Sequence, residues 1–298
     1  MATVVGANST SQNDLITPTR PLGFVIEAPR ATPIYESLGW IIDCSKLTSN
    51  VATIPSRDAA PATEVTTETD EVVRASYTTS GKNITGTMIS TRGLISDQLT
   101  LDSGGLSSDT VDEMAANVRN TIDVSALALF ATATNVTDNT GVNMTTALWA
   151  AGLALFKAQL PGGIMCYVGS PAQNRDIDND LADNAGGAQI QGAGLQIFTS
   201  GMTDGYKGMY RGVAIFESSN VAAADASNDV GGFVSIVAGA PGMSPQRSGL
   251  AIGVWKGIYA NGRDIPERFG FDAVVAARVG FQRSNERFLR AMISKRAA

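Results

Sequence analysis

The hydrophobic pattern changes period several times along the chain, and each change predicts an element. From Thr110 onward Val111, Ala115, Val118, Ile122 and Leu129 recur at the spacing of one helix face. T-V-D-E at 110–113 supplies a capping box with Glu113 at N3. One amphipathic helix is therefore predicted from Ser108 or Thr110 to about Ala133, roughly 24 residues and about 36 Å long. A second helix, ALWAAGLALFKAQL, opens at Thr145 or Thr146 and is stopped by Pro161-Gly162-Gly163. A short buried strand at 164–168 follows, and then a third helix with Ser170 as N-cap and Pro171 at N1.

The flanking segments read differently. Residues 1–33 have little periodicity and carry Pro18, Pro21, Pro29 and Pro33, which predicts an extended arm. Residues 35–44 are apolar enough to dock on a core as a short helix. A strand at 51–55 gives way to the polar, acidic, threonine-rich run SRDAAPATEVTTETDE at 56–71, and β-branched alternation returns at 74–90. Together these predict a long two-stranded excursion with an acidic tip, which cannot bury both faces on its own body and needs a partner. After a glycine-rich loop at 184–194, short strands are expected at 195–199, 212–217, 233–237, 251–259, 271–281 and 288–293. A turn at 283–286 would make the last two a hairpin.

Composition narrows the classes. The chain has 298 residues, 44% of them hydrophobic and 17% charged, a globular balance of one large or two joined domains. A chain of this length buries about three quarters of its unfolded surface, so it needs no disulfide or metal to hold a core. The two cysteines, Cys44 and Cys166, form neither a CxxC pair nor a zinc spacing, and are expected to be buried free thiols. No cation precedes Arg20 and no apolar h-region follows, so no secretory signal is expected. The longest apolar run, 147–156, is about half the ~20 residues of a membrane span. A soluble protein of a reducing compartment is expected, and the N-x-S/T matches at Asn8, Asn83, Asn135 and Asn143 read as chance.

The net charge of −6 conceals an asymmetry. From Arg247 onward ten lysines and arginines face four acids, whereas the preceding residues hold twelve against twenty-four. An acidic body of −12 is no nucleic-acid groove, which needs clustered cations. A basic end and an acidic body either attract each other, within or between molecules, or are two solvated faces.

Signs of catalysis are absent. There is no histidine, which removes the commonest general base, metal ligand and pH switch, and there is no G-x-S-x-G or S-x-x-K. Gly192-x-Gly194 lacks a third glycine and no P-loop exists. Asp176, Asp178, Asp180 and Asp183 start like a calcium loop, but Leu181 stands where the loop glycine belongs and Gly187 where the bidentate glutamate belongs. A solvated helix face is the expected reading. Trp40, Trp149 and Trp255 sit in apolar contexts as core or contact residues.

The order of these features, together with KNITGTMISTRGLISDQL at 82–99, IMCYVGSPAQNRDI at 164–177 and AARVGFQRSNERFLRAMI at 276–293, resembles the major capsid proteins of tailed bacteriophages. The resemblance covers nearly the whole chain and implies an α+β Hong Kong 97-like capsid fold. It implies an N-arm at 1–33, the start of a peripheral domain at 34–48 and an E-loop at 49–80. The peripheral domain would continue over 81–144, with a spine helix at 110–133. An axial domain at 145–262 and C-terminal strands at 263–298 returning to the peripheral domain complete the scheme.

The function implied is a non-enzymatic coat protein, without cofactor or metal. Many copies would assemble in the host bacterial cytoplasm into pentamers and hexamers of an icosahedral head, enclosing double-stranded DNA contacted without base recognition. The implied partners are other copies, a separate scaffolding protein, a portal and a cement protein, with no membrane. Arms without a core repay their ordering entropy only when neighbours bury them, and heterologous contacts that close give rings.

Two departures from the family qualify this. No lysine lies between Lys46 and Lys82, so a shell without lysine crosslinks is expected, and the short arm leaves scaffolding to another protein. The candidate inter-subunit contacts are the acids Asp58, Glu64, Glu68, Asp70 and Glu71 against Arg278, Arg283, Arg287 and Arg290 of an adjacent copy. The alternatives are an encapsulin-type nanocompartment shell protein of the same fold and, from another class, a histidine-free carboxylate hydrolase using Asp176 to Asp183.

Overall fold

The structure is a computed structural model that describes residues 33–57, 79–96, 106–159, 162–184, 205–237, 247–265 and 270–296. The expected N-arm, the strand at 195–199 and most of the glycine-rich loop lie outside the described residues. Two compact units interleave along the chain. The smaller includes residues 90–119 and 258–277; the larger includes 31–89, 120–257 and 278–298.

The larger unit is built on an eight-stranded sheet. Its main path runs β5 (Val136–Asn139), β14 (Leu289–Lys295), β10 (Asn228–Val237), β6 (Ile164–Gly169), β8 (Val213–Glu217), β7 (Tyr206–Tyr210). The short strands β9 (Ala222–Ala223) and β11 (Arg247–Ser248) also pair with β10. β10 is antiparallel to both β14 and β6, whereas β6–β8 and β14–β5 are parallel. Being central, β10 is buried along nearly its whole length, and its side chains feed two layers in alternation.

On one face lie α3 (Thr146–Ala158) and α4 (Pro171–Asn184), enclosing Trp149, Leu153, Phe156, Tyr167, Ile177, Phe233 and Met292. The Phe233 ring sits 5.3 Å from Trp149, 5.1 Å from Tyr167 and 5.7 Å from Phe156. The opposite face buries Ile34 and Leu38 of the α1 segment (Tyr35–Leu38), Leu127 of α2 (Leu106–Leu127), and Phe130, together with Val168, Val234, Leu289 and Ala291. Both later helices start as their sequences predict. Thr145 Oγ1 accepts from the Leu148 N–H at 3.2 Å. Ser170 and Gln173 form a reciprocal capping box, each side chain accepting from the other's backbone N–H at 3.2 Å.

A four-stranded sheet has the order β1 (Trp40–Asp43), β12 (Leu250–Ile265), β13 (Gly270–Arg283), β4 (Thr87–Ser96). β1 pairs in parallel with the start of β12. Within the smaller unit, the Arg92 guanidinium of β4 grips Asp272 of β13 with contacts of 2.5–3.0 Å. Gly93 of β4 lies against Met114, whose sulphur would touch an added Cβ at 3.4 Å.

Two expectations are corrected here. The long helix ends at Leu127, not Ala133, because the chain tightens into a 3₁₀ turn (Phe130–Thr132) that sends Phe130 into the core, fully buried. The strands 271–281 and 288–293 do not form a hairpin: β13 belongs to the four-stranded sheet and β14 to the eight-stranded one. Between them Asn285 Oδ1 caps a second 3₁₀ turn (Glu286–Phe288) through the Arg287 N–H, which redirects the chain. β14 suits an interior strand because Leu289 and Ala291 fill one layer and Met292 the other. β5 and β14 share the sheet of β6, β8 and β10. Periodicity does not mark β5, a four-residue strand of alternating half-exposed residues, nor β7, which carries Gly208 at a bulge.

Candidate assembly surfaces

The excursion expected from the sequence begins as a two-stranded antiparallel ladder, β2 (Val51–Arg57) with β3 (Thr79–Thr85), registered from Val51↔Thr85 to Arg57↔Thr79. Its base is sided. Ala52, Ile54 and Ile84 are buried with Cys44, Ala251 and Trp255, while Thr53, Pro55, Asn83 and Thr85 face outward. The base is also bolted down. Trp255 Nε1 donates to Ser49 O at 2.8 Å, Gly86 N–H to Asn50 O at 2.8 Å, and Gln282 Nε2 to Asn83 O at 2.9 Å. Gly86 is required at the β3–β4 junction, since an added Cβ would stand 2.8 Å from the Trp255 ring. Residues 58–78 complete the excursion in sequence, and Asp58, Glu64, Glu68, Asp70 and Glu71 lie outside the described residues.

The four arginines proposed to meet those acids have different surroundings. Arg283 is committed within its own chain, pairing with Glu286 at 3.1 Å and donating to Thr134 Oγ1 at 3.2 Å. Arg290 donates to Thr137 Oγ1 at 2.8 Å and to Val136 O at 3.4 Å across the β14–β5 pair, and burial lowers its pKa. Arg278 is half-buried on β13 and Arg287 is exposed on the second 3₁₀ turn; neither side chain has a partner among the described residues.

Glu286 organises this corner. Its carboxylate accepts from Lys82 Nζ at 2.9 Å and from the Thr134 N–H at 3.2 Å, while Asn135 Nδ2 donates to its backbone carbonyl at 2.8 Å. Burial alone would raise its pKa, but the Lys82 and Thr134 hydrogen bonds and the Lys82 and Arg283 charges outweigh it and hold the carboxyl below its ordinary value. The hairpin strand carrying Lys82 is thus tied to the turn carrying Arg287. The sequence marks none of this, because Lys82, Thr134 and Glu286 are far apart along the chain.

A second organising carboxylate escapes sequence reasoning as well. Asp123 of α2 is fully buried. Its Oδ1 accepts from the Ile34 and Tyr35 N–H groups, each at 2.9 Å, and its Oδ2 from Asn220 Nδ2 at 2.8 Å. It anchors the start of α1 to α2. Burial raises its pKa despite these donors.

The acids of α4 do not converge on a common point. Asp176 is buried rather than solvated as expected; one oxygen faces Arg175 at 3.3 Å and Oδ2 has no hydrogen-bond partner. Asp178 has its pKa raised by burial and by Glu217, opposed by Lys207. Asp180 Oδ2 accepts from the Thr146 N–H at 2.7 Å and from its hydroxyl, tying α4 to the start of α3. The Asp183 side chain lies outside the described residues. Among the described residues no group of three or more His, Cys, Asp or Glu side chains is placed to hold a metal, and no helix is long and apolar enough to cross a membrane. Cys44 and Cys166 are both free and buried, and burial pushes the Cys166 thiol up to about 12.

No protein-family model matches the sequence, and the curated proteins contain no match to it. Solved structures do share its architecture. A chain of the head structure of Helicobacter pylori bacteriophage KHP40 superposes with a TM-score of 0.67 at 10% identity, covering 97% of this chain and 96% of its own. A chain of the capsid of Ralstonia phage GP4 gives 0.65 at 8% identity, covering 100% and 99%. One from Mycobacterium phage Che8 gives 0.64 at 13% identity, covering 93% and 97%. The fold is therefore the mixed helix-and-sheet fold of phage capsid and head chains, as the resemblance of the sequence implied.

Proposed function

We propose that this chain is a major capsid protein, a non-enzymatic coat subunit that assembles with copies of itself into pentamers and hexamers of an icosahedral phage head around double-stranded DNA. The observation that carries the reading is superposition on phage head and capsid chains over nearly the full length of both partners. In this reading residues 1–33 are the N-arm, 49–80 the E-loop, 106–127 the spine helix, and the eight-stranded sheet the centre of the axial domain. The virion is its location, and scaffolding, portal and cement proteins are further partners. The arrangement has a physical logic. A two-stranded hairpin bolted at its base, between whose strands the sequence carries five acids, gains stability only against another body, and the basic end of a second copy offers complementary charge.

Arg283 and Arg290 are occupied within the chain, which supports Arg287 and Arg278 as the cations for Asp58, Glu64, Glu68, Asp70 and Glu71 of a neighbour in this reading. Each exposed pair contributes only about 0–1 kcal/mol, but a shell repeats it in every subunit. The test is assembly of the chain carrying Glu68→Lys and Asp70→Lys, followed by sedimentation at low and high salt. Weaker assembly, most pronounced at low salt, is expected; unchanged assembly at low salt contradicts this contact.

A further inference from the structure

The hairpin β7–β8 ends the path of the eight-stranded sheet among the described residues and turns through only Arg211 and Gly212, since Tyr210 pairs directly with Val213. Both turn residues have positive φ, +50° at Arg211 and +78° at Gly212, the backbone of a type I′ turn. Glycine, asparagine and aspartate fit the first position of such a turn, because an L side chain in the left-handed region brings its Cβ close to the following carbonyl. Arg211 is the one described non-glycine residue in that region. Among the described residues Arg211 makes no ion pair, and its guanidinium lies 5.4 Å from the centre of the adjacent Tyr210 ring.

Tyr210 packs 5.0 Å from the ring of Trp149, which is fully buried between α3 and the sheet. Beside it Met209 is 49% exposed, and the outer edge of β7 has no neighbouring strand among the described residues. Tyr210 and Met209 take opposite faces of the strand, Tyr210 toward Trp149 and Met209 toward the side of Ala214, so Met209 and Arg211 are the exposed members of this edge, and both residue types are enriched at protein interfaces. Backbone strain that the subunit itself does not use is a mark of such a site. The partner must supply carboxylates for the guanidinium, and the first 246 residues of this chain carry twelve more acids than cations.

We propose that Met209 and Arg211 form a contact with a second copy of this chain, in which the Arg211 guanidinium is received by a carboxylate of the neighbour and Met209 is covered. The proposal rests on the self-assembly reading. The experiment compares the full-length wild type with Arg211→Gly and Arg211→Asn, measuring thermal unfolding of the unassembled subunit and, separately, the concentration at which rings or shells appear. Both substitutions relieve the left-handed strain, so the subunit is expected to unfold a few degrees higher while the assembly concentration rises about tenfold or more. That opposite movement is what a purely structural role cannot produce. Variants that assemble like an assembling wild type overturn the proposal, as do variants whose subunit stability and assembly fall together. A wild type that stays monomeric overturns the self-assembly reading beneath it.

Discussion

Replacing Glu286 by glutamine isolates the ionic corner that ties the hairpin base to the second 3₁₀ turn. The carboxylate holds Lys82 at 2.9 Å and Arg283 at 3.1 Å, with side chains 33% and 23% exposed against 29% for Glu286 itself. Unit charges about 4 Å apart interact by about 4 kcal/mol at an effective dielectric near 20. With every partner a quarter to a third exposed, screening and desolvation reduce the net to about 1 kcal/mol per pair. Glutamine keeps the shape but has one acceptor oxygen where the carboxylate has two, so it can accept from Lys82 or from the Thr134 N–H and not from both, and the expected loss at pH 7 is about 1–2 kcal/mol, or about 3–5 °C in the melting temperature.

The pH dependence adds a stricter requirement. The Glu286 carboxyl is held below its ordinary value, so its contribution is complete above the unfolded value of about 4.3 and is lost as pH falls through the lower folded value. The deficit of Glu286→Gln should therefore shrink to nothing in strong acid. Urea unfolding of the unassembled subunit from neutral to acid pH measures both quantities. Arg287→Gln, which breaks no pair among the described residues, serves as a control expected within about 0.5 kcal/mol of wild type. A deficit below about 0.3 kcal/mol at pH 7, or one that persists undiminished in acid, refutes the account of this corner.

Two further substitutions probe the core polar groups. Asp123→Asn should loosen the Ile34 and Tyr35 amides, read by hydrogen exchange. Because burial raises the Asp123 pKa, wild type loses stability as pH rises from the ordinary aspartate range through the folded value, so the cost of asparagine should diminish with rising pH; a cost that grows contradicts this. Tyr167→Phe removes a fully buried hydroxyl that has no hydrogen-bond partner, and should be neutral or stabilising by up to about 1 kcal/mol in denaturant unfolding; a loss above about 1 kcal/mol would refute that picture of the site.

What the sequence discloses is what local periodicity and capping encode. Thr145, Ser170 and Pro171 announce two helices because a cap is a matter of neighbouring residues, and alternation at 51–55 and 74–90 announces a hairpin. Long-range pairing is not written that way. The residues of β14 read equally well as the partner of β13 or as an interior strand, and only the stacking of Leu289, Ala291 and Met292 between two layers decides. Likewise the charges of Arg283, Arg287 and Arg290 look equivalent in sequence. Glu286 and Thr137 distinguish them only once the fold brings those residues near. Asp123 was invisible for the same reason, since the amides it caps lie nearly ninety residues away.

The central claim is that this chain builds a shell from copies of itself. Expressing the full chain alone, purifying it and imaging it across a concentration series by electron microscopy, with sedimentation velocity on the same samples, tests that most directly. Rings of five or six subunits, or closed shells, are predicted; a chain that remains a strict monomer at the highest concentrations would contradict it.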